Sequence, residues 1–112
     1  TGKNGEALAL AYLTRNRFII LHTNWRHSHY EIDIIAHRED ILHFIEVKTR
    51  RSLKFGYPEE SVTKKKLENL MNGAEAFLCQ NPQWKRIQYD ILSVNLWKNR
   101  DPEYFFIEDV YL

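Results

Sequence analysis

Two neighbouring β-patterned runs carry charges inside otherwise apolar strands, and this limits what the chain can fold into more than any other feature. The first is Tyr30-Glu31-Ile32-Asp33-Ile34-Ile35 and the second is Phe44-Ile45-Glu46-Val47-Lys48. Alternation and β-branched content mark both as strands. The polar stretch His37-Arg38-Glu39-Asp40 reads as the hairpin loop between them. With a loop of about four residues, inside the common range of two to five, Asp33 falls opposite Glu46 and Glu31 opposite Lys48. Side chains on a strand alternate between faces. Glu31, Asp33, Glu46 and Lys48 are therefore expected on one face, and Ile32, Ile34, Ile45 and Val47 on the other, packed on a core.

Directly opposed carboxylates repel and raise each other's pKa unless a cation lies between them. A hard divalent ion resolves that conflict. Mg²⁺ and Mn²⁺ take oxygen ligands and are typically held by one or two carboxylates, with water and phosphate completing the shell. A lysine two residues beyond a ligand stays beside the ion's water or a phosphate oxygen. The bland alternative is an ordinary surface hairpin in which Glu31 and Lys48 form a cross-strand ion pair worth under about 1 kcal/mol.

An acid, a hairpin and then Glu-x-Lys resembles the PD-(D/E)xK nuclease signature, here Asp33 followed by Glu46-Val47-Lys48. Four further segments make the resemblance specific: Gly2-Lys3-Asn4-Gly5-Glu6-Ala7, Asn24-Trp25-Arg26 ahead of Glu31-Ile32-Asp33, Thr49-Arg50 after Lys48, and Tyr89-Asp90. In this order, across nearly the whole chain, they resemble the YraN family of small bacterial proteins. That resemblance implies an α/β, restriction-endonuclease-like fold related to archaeal Holliday-junction resolvases, together with nuclease activity. It also implies that Glu6 corresponds to an acidic helix position near the active site of the resolvases. Two departures stand out. Tyr30 takes the place of the family's usual Gly, which would narrow access to the site, and Ile107-Glu108-Asp109-Val110-Tyr111-Leu112 does not follow the usual ending.

The coarse order along the chain is helix, three strands, helix, two strands (αβββαββ), which predicts a central mixed sheet of about five strands flanked by helices. Ala7 to Leu13 is apolar apart from one tyrosine hydroxyl, so the first helix is expected to be covered on most sides, by the sheet or by a second subunit. Glu6 stands at its N-terminal end, where the helix dipole favours an acid on its own account. Phe18 to Leu21, Tyr30 to Ala36 and Ile41 to Thr49 read as an antiparallel meander, and Arg51 to Tyr57 as a loop. In the second helix Leu67, Leu70, Met71, Ala74, Phe77 and Leu78 recur at three- and four-residue spacing, and Asn81-Pro82 ends it. Ile87 to Val94 and Tyr104 to Val110 close the sheet around a turn at Asn99-Arg100-Asp101-Pro102. Asp90, in an alternating strand, suits a structural hydrogen bond as well as a catalytic role.

A chain of 112 residues, 44% hydrophobic and 13% aromatic, has the size and apolar content for one domain over 1–112, and no linker or repeat divides it. Its longest apolar run is far short of the ~20 residues of a membrane span, and no basic-then-apolar leader is visible, so a cytoplasmic protein without membrane contact is expected. Cys79 is the only cysteine; it lies on an apolar helix stripe and reads as a buried, inert thiol. His27-x-His29 has no cysteine nearby and reads as solvent-exposed. Net charge is only +1, which argues against a strongly basic nucleic-acid binder. From Lys48 to Lys66, however, Lys48, Arg50, Arg51, Lys54, Lys64, Lys65 and Lys66 face only Glu59 and Glu60. Such a strip would position DNA through its phosphates without reading sequence, or else be a solvated helix face and loop.

These readings converge on metal-dependent hydrolysis of DNA phosphodiesters, possible branched substrates included. Asp33 and Glu46 would hold one or two Mg²⁺ or Mn²⁺ with the Val47 carbonyl as an extra ligand. Lys48 would orient water or balance charge, and Glu31 and Glu6 would be outer ligands. Arg50, Arg51, Lys54, Lys64, Lys65 and Lys66 would contact DNA. The alternatives are a module on the same fold that binds nucleic acid without cutting, and a protein-interaction role through the first helix. A homodimer is expected from the apolar first helix and from the two-fold symmetry of junctions.

Overall fold

The computed structural model describes residues 3–51 and 63–111. The expected loop after Arg51, and Lys54 within it, lie outside the described residues. Helix α1 (Lys3–Arg15) leads into strands β1 (Ile19–His27), β2 (Tyr30–Arg38) and β3 (Ile41–Arg50). Helix α2 (Lys64–Gln80), β4 (Ile87–Trp97) and β5 (Arg100–Ile107) follow. The five strands form one mixed sheet in the order β1-β2-β3-β4-β5. Only β3 and β4 run parallel, as the α2 crossover between them requires.

Each helix buries one stripe on an opposite face of the sheet. Ala9 and Leu13 of α1 join Ile34, Ala36, Ile45, Val47, Leu92 and Val94. Leu67, Leu70, Ala74 and Phe77 of α2 join Ile32, Ile35, Leu42 and Phe44. Helix α1 stops where Arg17 turns to φ 71, with Arg17 N–H donating to Thr14 O and Phe18 N–H to Leu13 O. This Schellman pattern brings Phe18 onto the helix it ends. Thr63 starts α2 by accepting from the Lys66 amide at 3.1 Å, and Asn81 caps its other end.

Several sequence expectations change. The β2–β3 hairpin turns on two residues rather than about four: Glu39 (φ 53) and Asp40 (φ 67) are both left-handed, and His37 and Arg38 pair with Leu42 and Ile41. Asp40 tolerates that backbone and Glu39 follows it under strand pairing, so the turn forms without the usual Asn-Gly signal. The β4–β5 turn is likewise shorter, with Trp97 pairing directly to Arg100. Pro102 therefore lies inside β5, an edge strand, where the missing N–H is tolerated. Beyond Ile107 the chain leaves strand geometry: the Asp109 amide donates to Asp90 Oδ1 at 3.0 Å and the Val110 amide to Tyr89 O at 2.8 Å. Strand β1 runs six residues past Leu21, to His27.

Cys79 is exposed, not buried, because the α2 stripe through Gly73, Ala74 and Phe77 leaves position 79 on the opposite side of the helix. Within one chain α1 buries Ala9 and Leu13 and packs Leu8, Leu10 and Tyr12 partly against the same core. Ala7 and Ala11 face solvent, while Tyr12 stacks on Tyr104 of β5 (centroids 4.6 Å apart) and meets Phe106 edge-on. The uncovered residues are alanines, so little apolar area is left bare. His27 and His29 are exposed, as expected. No described helix is long and apolar enough to cross a membrane.

Candidate active site where two strands part

The β2–β3 ladder runs from Arg38↔Ile41 to Ile34↔Ile45. One further step would set Asp33 opposite Glu46, as the sequence predicts. The ladder stops there instead, and the Val47 amide donates to Asp33 Oδ2 at 2.8 Å. On the other side of β2, the pairs Thr23↔Ile34 and Trp25↔Ile32 skip Asn24 and Asp33, and Asn24 adopts φ 52. Face alternation breaks at this point. Ile34 packs on the α1 side, but Ile32 packs on the α2 side, so the expected sharing of one face by Ile32 and Ile34 is corrected by this local distortion.

The gap is a polar cleft of about 470 Å³ lined by Glu6, Asn24, Glu31, Asp33, Glu46, Val47, Lys48, Thr49, Arg50 and Lys66. Glu6, Glu31, Asp33, Glu46 and Lys48, all expected at the site, meet here. Glu6 arrives from α1, held by Asn24 Nδ2 at 2.7 Å from its Oε1. Its entry depends on Gly5: a Cβ there would collide with Thr49 on β3, so only glycine lets the first turn of α1 approach the strand this closely. Glu31 does not pair with Lys48. Its Oε2 lies 3.3 Å from Arg26 Nη2, its neighbour on β1. The nearly buried Lys48 Nζ instead lies 3.5 Å from Glu46 Oε2.

Crowded acids and poor hydration shape the electrostatics. Burial, then the charge of Glu46, push the Asp33 carboxyl up to about 6; Glu31 and Glu6 add to this, and the Val47 amide opposes it. Burial pushes the Lys48 ammonium down, with Lys66 adding to the effect and Glu46 opposing it. Among the described residues no three carboxylate, imidazole or thiol groups gather closely enough to hold a metal by themselves. The donors present are two adjacent carboxylates, Asp33 and Glu46, beside the Val47 main chain. That set fits a small ion which keeps most of its water, as Mg²⁺ does, and a cation would relieve the repulsion that raises Asp33.

The basic strip divides. Arg50 and Lys66 line the cleft, Lys64 and Lys65 are exposed on the first turn of α2, and Arg51 is exposed just past β3. Asp90 stands apart from the cleft. It is fully buried, 2.6 Å from His43 Nδ1, and accepts from Gln88 Nε2 and the Asp109 amide, which is a structural arrangement. Sequence reasoning gave no role to Asn24 or Thr49. Asn24 was visible only as part of the Asn24-Trp25-Arg26 motif, and its tie to Glu6 needs a left-handed turn that spacing does not reveal.

This architecture is restriction-endonuclease-like, and it is shared with a solved structure of Archaeoglobus fulgidus Hjc, described as a Holliday junction resolvase from an archaeal hyperthermophile. The two align with a TM-score of 0.54 over 93% of this chain and 75% of that one, at 20% identity. The sequence profile of the uncharacterised protein family UPF0102 matches residues 5–94, and the chain belongs to that family. A UPF0102 protein of Dictyoglomus thermophilum is 42% identical over 88% of this chain and 84% of its own length. One of Chloroherpeton thalassium is 36% identical over 98% and 92%.

Proposed function

We propose that this chain is a metal-dependent nuclease that hydrolyses phosphodiester bonds of DNA, with branched DNA as its substrate. The observation that carries the reading is the meeting of Asp33, Glu46 and Lys48 where β2 and β3 part, with the Asp33 carboxyl pushed up to about 6 by burial and then by its acidic neighbours. The shared architecture with a protein described as a Holliday junction resolvase supports it. In this reading Asp33 and Glu46 would hold Mg²⁺ or Mn²⁺, the Val47 carbonyl would be a further ligand, and Glu31 and Glu6 would act as outer ligands. When bound, the ion supplies Lewis acidity and a lowered water pKa. Lys48, buried against Glu46, orients the attacking water and balances charge gathering on the phosphate. Arg50 and Lys66 seat the phosphate, with Arg51, Lys64 and Lys65 holding the backbone further out; Lys54, expected to join them, lies outside the described residues.

Calorimetric titration with Mn²⁺ tests the ligands: Asp33→Ala and Glu46→Ala should each weaken binding at least tenfold, the order expected from losing one of two carboxylates. Equal affinities in all three proteins would sink the site. Incubation with four-way, flapped and linear DNA in Mn²⁺ tests the activity. Binding without cleavage would instead identify a non-catalytic nucleic-acid module on this fold.

The proposal extends to a pair of copies, which would offer two clefts to the arms of one junction. Light scattering at micromolar concentration should then read twice the chain mass of 13.5 kDa. A mass of one chain throughout would remove the two-fold arrangement.

A further inference from the structure

A second cleft, of about 210 Å³, adjoins the first and shares Glu31, Asp33, Glu46 and Lys66 with it. Its remaining walls differ in kind: His29 comes from the β1–β2 turn, Tyr30 from the start of β2, and Asn69 and Leu70 from α2. The His29 and Tyr30 rings are already in contact, their centroids 4.1 Å apart and their planes tilted by 40°. Trp25 and His27 form a second pair on the same hairpin, nearly parallel at 6.1 Å. Helix α2 passes close behind Tyr30, whose Cβ sits 3.3 Å from where a Cβ on Gly73 would stand. An aromatic wall, an amide and a shared lysine therefore border the acids on this side, whereas the first cleft is lined by charged and small polar groups.

We infer that this second cleft takes an unstacked nucleobase from the strand whose phosphate lies against Asp33 and Glu46. Tyr30 and His29 offer a stacking face, the Asn69 amide offers hydrogen bonds to the base edge, and Lys66, common to both clefts, meets the phosphate between them. Stacking on aromatic rings tolerates any base, because every base has a π-face. A base inside continuous duplex is kept away by its own stacking and pairing, whereas one at a gap, flap or junction is released at little cost. This inference rests on the nuclease reading of the first cleft and narrows its substrate to DNA with an unpaired nucleotide beside the scissile phosphate.

The test uses gapped duplex carrying either 2-aminopurine or an abasic residue at the unpaired position, with Ca²⁺ in place of Mn²⁺ during the binding measurement. Wild-type protein should bind the base-bearing DNA about tenfold more tightly than the abasic DNA, the lower part of the range for one base–aromatic stack, and should quench the 2-aminopurine. Tyr30→Leu should lose both effects while Tyr30→Phe keeps them, with circular dichroism confirming that each is folded. The comparison of the two DNAs on wild-type protein needs no variant. Equal affinity for them, or unquenched 2-aminopurine in a formed complex, overturns the inference, as does failure to bind gapped DNA. Cleavage in Mn²⁺ without quenching leaves the nuclease reading standing and removes the base site. Quenching without cleavage does the reverse.

Discussion

Asp33 concentrates the conflict between stability and function in one side chain. Its carboxyl is raised from 3.8 to about 6 by burial first and then by Glu46, so the folded state holds a proton that the unfolded chain has already lost. By linkage Asp33 costs nothing below pH ~4, where both states are protonated; stability falls as pH rises from there to about 6, where the folded carboxyl also ionises, and stays low above it. Asp33→Asn removes the charge and keeps an oxygen for the Val47 amide. It should therefore be more stable than wild type at pH 8 by about 1–2 kcal/mol, allowing for solvent screening of the full shift, with the gap closing below pH 4. Urea unfolding across pH measures this, and a constant difference would show that the carboxylate is not raised. Mn²⁺ at pH 8 should raise the wild-type Tm and leave that of Asp33→Asn nearly unmoved. The grouping of Asp33, Glu46 and Lys48 was legible in the sequence because two-residue alternation is hard to hide. The partners of Glu31 and Lys48 were not, because they depend on Arg26 standing beside Glu31 on β1 and on the ladder stopping short of Lys48.

Helix α2 begins with three lysines and has no acid in its first turn, the reverse of what the helix dipole favours. Lys64, Lys65 and Lys66 are therefore a small structural liability set beside an acidic cleft. Replacing all three with alanine should leave the helix as stable or slightly more so, by up to ~1 kcal/mol. DNA binding should weaken, and the slope of log affinity against log salt should shrink by about one for each lysine that meets a phosphate. A filter-binding series in salt reads that slope, and an unchanged value would return the lysines to a solvated face. The apolar spacing of α2 was legible, since Leu67, Leu70, Ala74 and Phe77 are the residues it buries. The two-residue length of the hairpin turns was not, because Glu39 enters left-handed backbone under the pull of strand pairing, whereas Asp40 and Asn99 tolerate it on their own account.

Across the whole molecule the order αβββαββ and the mixed sheet follow from the sequence, whereas the covering of α1 does not. That helix looked too apolar for one sheet to shield, but β5 folds Tyr104 and Phe106 over Tyr12, a contact between residues some ninety positions apart that no local pattern encodes. Among the described residues no strand pairs with the outer edge of β1 or β5, and an open edge is a template on which any other extended chain adds itself, up to fibre growth. Here each edge is spoiled differently. Strand β1 is broken by the irregularity between Ile20 and His22 and by Asn24, and β5 carries Pro102 among Arg100, Asp101 and Glu103. Exposed Ile19 and Phe105 then sit on rims that cannot extend. Pro102→Val, which restores an edge donor in β5, should leave the fold intact yet raise thioflavin-positive aggregate on prolonged incubation at 37 °C, and the absence of any increase would show that the proline is not a guard against fibrils.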